Sequence, residues 1–126
     1  MKVVTIIVRS LLGLVFAVFG SNAFLHFMPM PPMTGYPGEF IGSMNATGYL
    51  QAVAAVEVVG GVLLLLGFVP LGLLMIGPIV VNIVFYHLFM DRNGLPMAAI
   101  ISALSLFLLW RSWGSFTGIV RLERRF

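Results

Sequence analysis

The 126-residue chain has no cysteine. Disulfides, zinc–thiolate sites, iron–sulfur clusters and dithiol redox chemistry are therefore outside what it can do by itself. A small membrane enzyme that reduces quinone through paired cysteines is excluded as a description of this chain alone. Charge is nearly as scarce, at 9% of residues against about a quarter in an ordinary soluble domain. No stretch shows the apolar–polar alternation that a membrane β-barrel requires. With 60% hydrophobic residues and a mean hydropathy of +1.10, the class is an all-α integral membrane protein of one domain. The pI of about 10.0 does not point to nucleic acid, because the basic residues form no stripe interleaved with aromatics.

Four apolar segments, approximately 3–27, 49–68, 71–90 and 95–113, each approach the roughly 20 residues that a helix needs to cross a hydrocarbon core. Prolines 29, 31 and 32 break the first from the second. Val69-Pro70 separates the second from the third, and Asp91-Arg92-Asn93-Gly94 separates the third from the fourth. The expected architecture is a four-helix antiparallel bundle with a long outer loop, Met28 to Thr47, and a basic tail over 114–126. The first segment, with Lys2 and the small-x-small triplet Ser21-Asn22-Ala23, has features of a signal peptide. Arg9 interrupts its apolar run, which continues past the triplet, so it reads as an uncleaved span. Lys2, Arg9, Arg111, Arg121, Arg124 and Arg125 lie near the two ends of the chain, and only Arg92 lies in a connection. That distribution predicts a multi-pass protein of the cell (plasma or inner) membrane with both termini cytoplasmic.

This topology sorts the polar residues by depth. At 1.5 Å per residue, Asn22, Glu57 and Asn82 fall about 8–12 Å below the outer ends of three different spans, with His26, Gln51 and His87 above them. Glu57 is the only acidic residue within a span. An ionisable group there usually faces the bundle and has a partner; it marks a site or fixes helix register. Gly60 and Gly61, at i+3 and i+4, leave room beside it and let a neighbouring helix approach. Asn22 and His26 share a face, as do Asn82 and Tyr86, whereas His87 lies about 140° around the helix from Asn82. For each histidine, an interfacial hydrogen bond competes evenly with a ligand or proton-transfer role. Pro78 is expected to kink the third span and free carbonyls below Asn82.

The loop methionines 28, 30, 33 and 44 read first as an apolar lid, with Phe40, Ile41 and Met44 dipping into the headgroups. Cu(I) binding by thioethers is the alternative. Heme ligation by His26 and His87 has no other supporting feature in the chain. Asn45-Ala46-Thr47 matches a glycosylation sequon and equally suits a helix cap. "NAFLHFM" and "NIVFYHLFM" look like two versions of one phrase, a weak hint of duplication.

The ordered set "LLGLVFAVFGSNAFLHFMPMPPM", "EVVGGVLLLLG", "PIVVNIVFYHLF" and "NGLPMAAI" resembles the DoxX-like family of small four-helix membrane proteins, from about Arg9 to Trp113. The resemblance implies a four-span bundle with cytoplasmic ends, and Glu57, its following glycines and Asn82 as family-typical positions. It also implies association with quinone-linked oxidoreductases, oxidative-stress complexes or membrane-protein assembly. The leading expectation is an accessory subunit, not an enzyme on its own. It would bind a quinone or similar lipophilic molecule, supplied by or shared with a partner oxidoreductase, through Glu57, Asn22, His26, Asn82, His87, Gln51 and Tyr86. A non-enzymatic assembly partner and a proton-coupled transporter are the alternatives. The partners expected are the bilayer and a second protein or a further copy of the chain.

Overall fold

The computed structural model describes residues 2–27 and 33–120. Its elements are helices α1 (Lys2–Leu25), α2 (Gly35–Thr47), α3 (Tyr49–Leu66), α4 (Val69–Phe89), α5 (Leu95–Arg111) and α6 (Trp113–Val120), with a 3₁₀ turn at Arg92–Gly94. Among the described residues, four helices are long and apolar enough to cross a membrane, the fourth counted with its 3₁₀ turn. The chain is a small multi-pass membrane protein. Its surface fits that solvent: Leu66, Ile100 and Leu106 are more than 60% exposed, which suits lipid rather than water.

Two connections differ from the sequence expectation. The latter part of the long loop is the 13-residue helix α2. Its Gly, Pro and Ser content disguises it, but Pro37 falls in the first turn, where its missing N–H costs nothing. Met28 and Met30 lie outside the described residues. The break between the second and third spans falls at Gly67-Phe68, so Val69 and Pro70 begin α4 instead of separating it from α3. The tail also begins as a helix, α6, which buries Phe116 against the core; Arg121, Arg124 and Arg125 lie outside the described residues.

Small residues set the closest helix approaches. A Cβ on Gly61 would lie 2.6 Å from the Gly13 carbonyl oxygen and 2.7 Å from the Ala17 nitrogen, and one on Gly20 would lie 3.0 Å from the Ala54 oxygen. Residue numbers fall along α3 as they rise along α1, so the two run in opposite directions with their backbones nearly touching. Gly60 meets Ile76 and Met75 of α4 in the same way, and Gly72 meets Leu64. Around these contacts Leu12, Phe16, Leu64, Leu73, Ile76, Val80, Ile101 and Leu108 form the core.

Arg9 ties α1 to the end of α3. Its Nη1 donates to the carbonyls of Leu64 (2.9 Å) and Leu65 (2.8 Å). Gly67, at φ 100°, closes the helix with its own N–H on Leu64, and the Phe68 N–H bonds to Leu63. The last-turn carbonyls of Leu63, Leu64 and Leu65 are thus satisfied by a left-handed glycine cap and a cation placed where the helix dipole favours one. Near the same end, Arg111 Nε donates to Thr5 Oγ1 at 3.2 Å.

Candidate functional site

At the other end of the molecule, α3 and α4 lose their close approach. Beyond Gly60 no further glycine on α3 faces α4, and a cavity of about 680 Å³ opens, lined by α2, α3 and α4. Phe40, Ile41 and Met44 come from α2, and Tyr49, Leu50, Val53 and Glu57 from α3. From α4 come Pro78, Ile79, Asn82, Ile83, Phe85, Tyr86, Phe89 and Met90. The i, i+4 series Pro78, Asn82, Tyr86 presents one face of α4 to it. The Cα–Cβ bond leans toward the N-terminus of its own helix. Because α3 and α4 run oppositely, Glu57 leans toward the Tyr49 end while Tyr86 leans back toward Asn82. The three polar groups are thereby drawn toward one level of an otherwise apolar and aromatic space.

None of the three groups has a side-chain hydrogen-bond partner among the described residues. Glu57 is half-buried and no side chain donates to its carboxyl. The Tyr86 hydroxyl is buried without a partner, although buried hydroxyls in proteins are normally bonded. Its ring is held from both sides, 5.6 Å from the Phe40 ring and edge-on to His87 at 5.0 Å. Asn82 is exposed toward the cavity. Among the described residues, no basic side chain lines it.

The remaining residues expected at a site are placed elsewhere. His87 does not line the cavity; its Nδ1–H donates to the Asp91 carbonyl at 3.0 Å, and its ring packs on Gly94. It fixes the turn between α4 and α5, together with the Asp91 side chain accepting from the Asn93 N–H at 3.2 Å. His26 is exposed at the end of α1 in a left-handed conformation, φ 52°, with its N–H on the Asn22 carbonyl at 2.9 Å. Gln51 Nε2 donates to Asn45 Oδ1 at 2.9 Å, so Asn45 meets a side chain while Gly48 occupies the cap position of α3. Asn22 is buried and engaged in an interaction, but neither it nor any other α1 residue lines the cavity. The reason is steric: Gly13 and Gly20 lay α1 flush against α3. Helix α2 takes the place expected for α1.

Phe40, Ile41 and Met44, expected to dip into the headgroups as a lid, line the cavity from α2; sequence reasoning missed Phe85 and Phe89 in the same wall and the capping role of Arg9. Among the described residues, no group of three or more His, Cys, Asp or Glu side chains converges on a metal position. Met44 lines the cavity, whereas Met33 is exposed and does not. Comparison with family models, with curated proteins and with solved structures gave no match.

Proposed function

We propose that this chain is a DoxX-like four-span antiparallel bundle with both termini cytoplasmic. Its outward cavity binds a quinone or a similar ring-bearing lipophilic molecule on behalf of a partner oxidoreductase. One observation carries the reading: Glu57, Asn82 and Tyr86 line a single cavity, with the Glu57 carboxyl and the Tyr86 hydroxyl unpartnered among the described residues. A charged residue near the centre of a membrane helix costs about 2.5–3.5 kcal/mol, and an unpaired polar group is retained there where it has work to do. An apolar pocket of about 300–1,000 Å³ with a few convergent polar groups is the usual form of a small-molecule site.

The chemistry matches a quinone–hydroquinone pair. Asn82, exposed in the cavity, both donates to and accepts from the ring oxygens, and the Tyr86 O–H, covered at the cavity wall, reaches a ring carbonyl oxygen after a rotation of its side chain. The Glu57 carboxylate accepts from a hydroquinone hydroxyl, and in its protonated form donates to a carbonyl. Phe40, Tyr49 and Phe89 supply faces and edges for an aromatic ring. The electrons go to or come from the partner, since the chain has no cysteine to carry them.

The test is a thermal-stability assay of the purified protein with a short-chain benzoquinone. The wild type is expected to gain several degrees, and Glu57→Gln to lose at least about half of that gain, because one hydrogen bond to a charged group contributes about 1.5–3 kcal/mol. Equal gains in both proteins would remove Glu57 from the site.

A further inference from the structure

The cavity is not the only recess beside α4. On the opposite flank, between α4 and α5, lies a groove of about 370 Å³. Gly77 and Val80 line it from α4, and Leu109 from α5. It offers almost nothing polar. Ser105 returns its hydroxyl to the Ile101 carbonyl at 2.8 Å, and Ser102 keeps its oxygen beneath the surface. Phe85 lines both recesses. Around α4, Asn82 and Tyr86 occupy one face and Gly77 and Val80 another, with Phe85 on the edge between them at 100° per residue. Phe85 is itself 52% exposed, on the side open to lipid. The polar-headed cavity and the apolar groove therefore adjoin over one side chain.

We infer that the ligand of the cavity carries a long hydrocarbon tail, which passes over Phe85 and lies in the α4–α5 groove. The inference rests on the head-binding role proposed above and adds the ligand's second half. The argument is continuity together with chemistry. A ring held near Glu57 and Asn82 has Phe85 beside it, and the adjoining space accepts only hydrocarbon. Gly77 leaves that space open, since a Cβ built on it meets nothing within 4 Å. Affinity for the tail comes from packing in a shaped groove, because transfer from lipid into a merely apolar site gains little.

The full-length protein is placed in phosphatidylcholine nanodiscs, and binding is measured against empty nanodiscs for two probes. One is a benzoquinone without a side chain; the other is the same ring bearing several isoprene units. The wild type is expected to hold the tailed probe about tenfold more tightly, equivalent to about 1.4 kcal/mol. Gly77→Leu and Ser105→Leu each place a branched side chain in the groove. Either should abolish that preference and leave the short probe's affinity where it was. Two substitutions on different helices keep the test decisive if one of them does not fold. Equal affinity of the wild type for both probes, or a preference that survives both substitutions, overturns the tail groove while the head site stands. A short probe that fails to bind, or that ignores Glu57→Gln, overturns the head site and the inference together.

Discussion

The two flanks of α3 are built on opposite plans. Along α1, glycines let two backbones touch: the Gly13–Gly61 contact leaves no room for even a methyl group, and Gly20 lies tight against Ala54. Toward α4 the same closeness lasts only from Gly60 to Gly72. It then gives way to a cavity walled by Phe40, Tyr86 and Phe89. In lipid no hydrophobic force presses helices together, so backbone approach through small residues supplies much of the packing. The chain concentrates that packing on one flank, and the other flank is left open as a cavity.

Glycine substitutions break the comparison most directly. Gly61→Ala places a Cβ against backbone atoms of α1 that cannot turn aside, at 2.6 and 2.7 Å. It should cost about 1–3 kcal/mol, read as a lowered unfolding midpoint in mixed micelles. An unchanged midpoint would mean that the α1–α3 seam is not the rigid flank. Arg9→Gln comes next. It withdraws the cation from the Leu64 and Leu65 carbonyls, and the expected loss is about 1–2 kcal/mol, at the lower end of the roughly 1–3 kcal/mol for an acceptor left without its donor. At the small end, Gly42→Ala in α2 meets nothing within 4 Å. It should stabilise by up to about 1 kcal/mol through helix propensity alone. A loss at position 42 as large as that at 61 would erase the distinction between the flanks.

How much of this was legible in the sequence follows from which forces are local. The spans were readable because a bilayer demands apolar length, and α3 begins at Tyr49 where the composition placed it. Glu57 and Asn82 were readable as candidates because polar groups are rare enough in such helices to stand out. Helix α2 was hidden because its glycines and proline resemble a loop, and nothing in its own composition announces that α3 and α4 leave space beneath it. Arg9 looked like an orienting charge. Its second role depends on the end of α3, more than fifty residues away in sequence. Asn22 was expected beside Glu57 on depth alone, but depth does not fix rotation about the helix axis. Helix α1 meets Glu57 through Gly20, and Asn22 is buried without lining the cavity.

The turn that joins α4 to α5 has an evolutionary corollary. The imidazole of His87 fills the space where any side chain at position 94 would begin, while its Nδ1–H occupies the Asp91 carbonyl. A side chain at 94 would have to push the His87 ring aside, and the bond to Asp91 would go with it. The dependence runs one way, since glycine at 94 accepts a smaller neighbour at 87. Among descendants of this chain, a change at 94 should come with a change at 87 more often than the reverse.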